Sequence, residues 1–115
     1  MGYVTTHVLD TARGRPGSGI SVSLYRITDQ RELVKTMLTN TDGRTDQPVL
    51  SEDEFTKGTF ELVFNVEDYF SNSPLMQAEP PFLDEIPLRF TISTDDHYHV
   101  PLLVSPWSYS TYRGS

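Results

Sequence analysis

The strongest constraint on this chain is a period of two. Apolar and polar residues alternate over short runs, and each run stops at a turn signal before a helical repeat can develop. Ile20, Val22 and Leu24 alternate with Ser21, Ser23 and Tyr25. Phe60, Leu62, Phe64 and Val66 alternate with Glu61, Val63 and Asn65, and Ile86, Leu88, Phe90 and Ile92 repeat the pattern. Such runs bury one face of a strand and wet the other. Tyr3 to Leu9, Leu33 to Thr39, His97 to Val104 and Ser108 to Arg113 bring the count to about seven short strands. The breaks are Asp10–Gly17, with its glycines and proline, then Asn40-Thr41-Asp42-Gly43, and later Ser105-Pro106-Trp107. Pro87 puts its own strand at a sheet edge, because proline has no N–H for a ladder.

One helix is expected. Val66, Tyr69 and Phe70 share a face at i, i+3 and i+4, with a start near Asn65 or Glu67 and a stop at Ser71-Asn72-Ser73-Pro74. A loop with Pro80, Pro81 and Phe82 then leads to the next strand. No repeat or linker divides residues 1–115, so the chain reads as a single all-β domain, an antiparallel sandwich with one short helix.

Composition narrows the chemistry. No cysteine is present, which excludes a disulfide scaffold, a thiolate metal site and a cysteine nucleophile. Nine basic residues against 16 acidic ones leave a formal charge of −7, the wrong sign for a nucleic-acid partner. No apolar run is long enough to span a membrane, and residues 1–6 have no leader character, so a cytoplasmic protein is expected. The sequence contains neither a Gly-x-Ser-x-Gly elbow nor a phosphate-cradling glycine loop.

Three histidines are the readable chemistry. His97 and His99 lie two apart, on one strand face with Pro101 and Leu103, while Tyr98, Val100, Leu102 and Val104 take the core face. With Asp95 and Asp96 beside them they still lack a third dedicated ligand, so no metal is expected. His7 shares a strand face with Thr5 and Leu9. A strand histidine is more often a surface side chain than a catalyst, although its pKa suits proton transfer near neutrality. Arg44, just after Asp42-Gly43, has a planar fork suited to carbonyls and carboxylates. The acidic stretch Ser51-Glu52-Asp53-Glu54 lacks the spacing of a calcium loop and reads as a solvated turn.

His7-Val8-Leu9-Asp10, followed by Gly14-Arg15-Pro16-Gly17, resembles the N-terminal motif of the transthyretin-like proteins. Tyr98 to Ser110, Tyr-His-Val-Pro-Leu-Leu-Val-Ser-Pro-Trp-Ser-Tyr-Ser, resembles their second motif. The ending Tyr112-Arg113-Gly114-Ser115 is similar to the tail that separates the 5-hydroxyisourate hydrolases of this family from its hormone carriers. Position 107 is Trp, where Tyr or Phe is equally expected. The likeness covers essentially the whole chain.

The resemblance implies a transthyretin-like (prealbumin-like) two-sheet antiparallel β-sandwich of about eight strands with one short helix. It implies a homotetramer, a dimer of dimers, with functional side chains lining a central channel. It assigns catalytic roles to His7, Arg44, His99 and Ser115, and substrate binding to His7, Arg44, Ser110, Tyr112, Arg113 and Gly114. His97 is expected at the channel rim or in solvent. No cofactor is implied. The implied reaction is metal-free hydrolysis of 5-hydroxyisourate to 2-oxo-4-hydroxy-4-carboxy-5-ureidoimidazoline, a step of urate (purine) degradation. The carrier branch would place Lys, Glu and Thr at positions 7, 44 and 99. A non-catalytic small-molecule carrier or interaction domain is therefore the alternative.

Overall fold

The computed structural model describes residues 2–72 and 81–115. In chain order the strands are β1 (Tyr3–Thr5), β2 (Val8–Asp10), β3 (Arg15–Pro16), β4 (Ser21–Ile27) and β5 (Arg31–Leu38). They continue with β6 (Gly58–Asn65), helix α1 (Glu67–Ser71), β7 (Glu85–Ile92), β8 (His97–His99), β9 (Leu102–Val104) and β10 (Tyr109–Ser110). The expected strand from Tyr3 is broken into β1 and β2, and that from His97 into β8 and β9. Counting each broken strand once gives eight among the described residues.

One layer has the order β5-β4-β6-β7, all antiparallel, with Pro87 on the edge strand β7. The other has the order β10-β9-β2-β3, extended by the β1–β8 pair. Here the first strand runs parallel to the strand from His97, a pairing that local alternation does not announce. Thr5 faces His99 and Val8 faces Leu102, and the offset is 94 in both cases (99 − 5 and 102 − 8). Backbone N–H groups of Val100 and Leu102 donate to the Thr5 and His7 carbonyls at 2.9 Å, so the ladder runs through the break in register.

The core fills the space between the layers. Val22, Leu24, Phe60, Leu62, Phe64, Ile86 and Leu88 come from one side, and Val4, Val8, Tyr98, Val100, Leu102 and Val104 from the other. These are the alternating residues of the sequence, and their burial removes the apolar face of each strand from water. Strand β5 departs from that rule: Leu33 and Leu38 are 58% and 66% exposed. On the outer face of β6, Glu61 is buried between Arg31 and Arg89, each with its Nε 3.2 Å from the carboxylate.

Helix α1 follows Val66 as expected, buries Phe70, and ends by Asn72. Ser73, Pro74 and Pro80 lie outside the described residues. The helix is fastened to β2 through Asp10, whose buried carboxylate accepts from four donors. Ala12 and Arg13 N–H groups reach Oδ1 at 3.1 Å, and Arg13 Nε and the Tyr69 hydroxyl reach Oδ2 at 3.0 and 2.6 Å. Arg13 Nη2 also donates to Tyr69 at 3.0 Å. Burial pushes the Asp10 carboxyl up, but the bonds from Tyr69 and Arg13 outweigh it and hold it below the usual carboxylate range. Its stabilising effect is present at neutral pH and is lost as acid protonates the folded form. Tyr69→Phe is expected to lose about 1.5–3 kcal/mol at pH 7, the worth of a hydrogen bond to a charged group. Urea melts should show that deficit shrinking as the pH falls below the carboxylate range.

Candidate functional site

The parallel seam sets out one row of side chains. Tyr3 and Thr5 on β1, and His97 and His99 on β8, stand on the face away from the core, and His7 continues that row beyond β1. Thr6 turns the other way, where its buried hydroxyl donates to the Val100 carbonyl at 2.7 Å.

Arg44 arrives from the β5–β6 connection. The Asn40 side chain accepts from the N–H groups of Asp42 and Arg44 at 2.9 and 3.2 Å, curling the turn that the Asp-Gly pair announced. Gly43 takes φ +78°, and a Cβ there would meet the Val8 carbonyl at 2.4 Å. Only glycine fits both demands. The Gly43 carbonyl accepts from the Val8 N–H at 2.8 Å, and His7 and Arg44 form an antiparallel bridge. The turn is thereby clamped against the first strand beside His7.

His7 Nε2 donates to the Asp42 carbonyl at 2.8 Å. A carbonyl only accepts, so the neutral ring carries its hydrogen on Nε2 and keeps Nδ1 as an acceptor. His99 is held at Nδ1 by the Thr5 hydroxyl at 2.8 Å, which leaves Nε2 available to a bound molecule. Burial, followed by the Arg44 charge, pushes the His7 pKa below its ordinary value, and the Asp42 carbonyl offsets part of that. Burial, Arg44, His97 and His7, in that order, push His99 down as well. Both imidazoles are thus kept neutral beside a permanent cation at physiological pH.

An open cavity of about 450 Å³ lies against this cluster, walled by Thr5, Arg44, Pro48, His97, His99 and Ser115 among others. Gly114 forms an antiparallel bridge with His99, its N–H donating to the His99 carbonyl at 2.8 Å. A Cβ on Gly114 would meet His99 Cβ at 3.1 Å, so this close approach favours glycine.

The expected residues therefore divide. Arg44, His99 and Ser115 wall the first cavity, while His7 and Gly114 do not line it and are joined to it by their backbone bridges to Arg44 and His99. Tyr112 and Arg113 instead line a second cavity of about 360 Å³ with Leu88, Phe90 and Tyr98, where the Arg113 guanidinium lies 4.1 Å from the Tyr98 ring centre. Ser110, on β10 opposite Leu103, is exposed and borders neither cavity. His97 is half-buried in the wall of the open first cavity and stacks on Tyr3 with ring centres 4.1 Å apart. Thr5 and Tyr3 were missed by motif reasoning, although strand parity already put Thr5 on the face of His7. Among the described residues no three His, Asp or Glu side chains gather as a metal site would require.

Fold and site together define a β-sandwich that presents two neutral histidines and an arginine on one sheet face. The chain belongs to the HIUase/Transthyretin family, whose model matches residues 4–114. It is 59% identical to the 5-hydroxyisourate hydrolase of Pseudomonas aeruginosa, covering 100% of this chain and 93% of that one. It is 40% identical to the mouse 5-hydroxyisourate hydrolase over 97% of this chain and 94% of the other. Among solved structures, Klebsiella pneumoniae 5-hydroxyisourate hydrolase superposes with a TM-score of 0.82 at 30% identity, covering both chains fully. An (S)-allantoin synthase superposes at 0.91 with 48% identity, where the match covers 99% of this chain and 44% of that longer one. Sea bream transthyretin, at 23% identity and a TM-score of 0.84, shares the fold.

Arg44→Ala should raise the pKa of both His7 and His99 toward the ordinary histidine value of about 6.5. An NMR titration of the imidazole Cε1–H signals checks this. Unmoved titrations would mean that the guanidinium does not act on the rings.

Proposed function

We propose that the chain hydrolyses 5-hydroxyisourate, and that the cavity walled by Arg44, His99 and Ser115 is where it does so. The observation that carries this reading is that Arg44 and His99, from distant segments, wall one cavity, with His7 bridged to Arg44 at its side. Hydrolysis of a cyclic amide needs a base for water, a donor for the developing oxyanion and a proton for the leaving nitrogen. Two histidines kept neutral by burial and by Arg44 supply the acceptors, and the Arg44 fork supplies the charge-assisted donor. Water adds to the ring carbonyl, the C–N bond breaks, and the nitrogen leaves with a proton. His7 and His99 handle the protons, and Arg44 holds the substrate oxygen. Ser115 and the Gly114 backbone position substrate or water at the His99 end.

In an acidic chain, Arg44 is also the local positive charge that an anionic purine derivative requires. Lys, Glu and Thr at positions 7, 44 and 99, the carrier pattern, are absent. We assign the open side of the cavity to closure by further copies of the chain, in a homotetramer built as a dimer of dimers. Tyr112 and Arg113 then serve the tail's packing on Tyr98, and through it the placing of Gly114 and Ser115. Ser110 has no assigned contact with substrate in the single chain.

His7→Ala, Arg44→Ala and His99→Ala should each slow decay of freshly generated 5-hydroxyisourate on the order of 10²–10⁴-fold relative to the unaltered protein. Unchanged rates in all three would overturn the site. Removing residues 112–115 should leave a folded protein, by circular dichroism, that has lost the activity. Sedimentation at micromolar concentration separates a tetramer from a monomer.

A further inference from the structure

Thr5 Oγ1 lies 2.7 Å from His97 Nε2 and 2.8 Å from His99 Nδ1. A hydroxyl owns one hydrogen, so between two ring nitrogens it donates to one and accepts from the other. With both rings neutral, only two arrangements satisfy both bonds. In the first, His99 carries its hydrogen on Nδ1 and donates to Thr5, which donates to His97 Nε2. His99 Nε2 is then a base. In the second, His97 donates to Thr5 and Thr5 donates to His99 Nδ1, so His99 carries its hydrogen on Nε2 and is a donor. The two rings cannot choose tautomers independently.

The surroundings hold this arrangement in place. Thr5 faces His99 in the parallel register, and its branched Cβ limits its rotamers. Tyr3 lies flat on His97, with 7° between the rings, which fixes the plane of that imidazole. Thr5 and both histidines are half-buried, which limits competition from water for the two bonds.

Resting on the reading that this cavity hydrolyses 5-hydroxyisourate, we infer that Thr5 is a positioning residue whose hydroxyl joins His97 and His99 into one proton-handling pair. As the water oxygen bonds to the ring carbonyl carbon, one of its protons passes to His99 Nε2, while His7 Nδ1 accepts a hydrogen bond from the other. The Nδ1 hydrogen moves to the Thr5 oxygen as the Thr5 hydrogen moves to His97 Nε2, leaving the positive charge on His97. His99, now neutral with hydrogen on Nε2, gives that proton to the ring nitrogen as the C–N bond breaks. The two shifts through Thr5 reverse in the same step, so that His99 regains its Nδ1 hydrogen as it loses the one on Nε2, and all three groups return to their starting state. One water proton has gone to the leaving nitrogen, and the hydroxyl remains on the new carboxyl carbon.

Thr5→Val keeps the branched shape and removes the hydroxyl, whereas Thr5→Ser keeps the hydroxyl. The valine variant should lower kcat by about 10- to 100-fold, less than the loss of a general base itself, with KM little changed. The serine variant should recover most of it. Imidazole ¹⁵N shifts of the unliganded protein should show His97 and His99 changing tautomer balance together in the valine variant. His97→Phe, which preserves a ring for Tyr3, should lower kcat similarly, and the double variant Thr5→Val/His97→Phe should be no slower than either single one. Wild-type kcat with unmoved ¹⁵N shifts in Thr5→Val, or losses that multiply in the double variant, would overturn the coupling. A wild-type protein that leaves 5-hydroxyisourate untouched would overturn the functional reading instead, and the ¹⁵N spectra then decide the coupling alone.

Discussion

The constant offset of 94 between the first strand and the strand from His97 decides which side chains meet. It sets Thr5 opposite His99 and carries His7 into line with them. A slip of the first strand by one residue would turn Thr5 and His7 into the core and expose Val4 and Val8, at the cost of two fully buried side chains. The core face therefore enforces the chemistry of the outer face. Packing of Val4, Val8, Val100 and Leu102 holds the histidines in register without touching any substrate.

Two polar clusters with opposite logic flank that seam. At Asp10, a buried negative charge is surrounded by donors and serves to tie α1 to β2. Around His7 and His99, burial and the Arg44 charge push the other way and keep basic groups uncharged. The first cluster stabilises an ion; the second withholds one. Arg44 is tied to the second through a turn that only glycine at position 43 allows, so backbone geometry, more than any side-chain contact, sets where its charge sits.

Much of this was readable in the residues because alternation reports burial directly. Phe60, Leu62, Phe64, Val100 and Leu102 point inward as their parity required, and His7 and His99 point the other way. The helix around Tyr69 and the edge position of Pro87 were readable for equally local reasons. Strand partners were not, since a period of two is the same whether the neighbour runs parallel or antiparallel. The exposure of Leu33 and Leu38 was hidden too, because an apolar residue does not say which layer will cover it. The tail divided in a way that its tetrapeptide does not reveal. After β10 the chain returns to His99 through the backbone bonds of Gly114, so Tyr112 and Arg113 leave the histidine cavity while Ser115 lines it. Thr5 escaped notice because a threonine in a strand is ordinary until its two neighbours are known to be imidazoles.

The parallel seam also has a temporal side. Its partners are 94 residues apart, so the loop it closes includes nearly every other element of the sandwich. Loop-closure entropy grows with that span, and long-range parallel pairing is slow to form. The hairpins β4–β5 and β6–β7 involve much shorter excursions and can assemble first. The face that carries His7, His97 and His99 is thus a late product of folding. A nascent chain still short of His99 lacks the strand that covers β1, leaving its edge open to other strands until His97–His99 emerges.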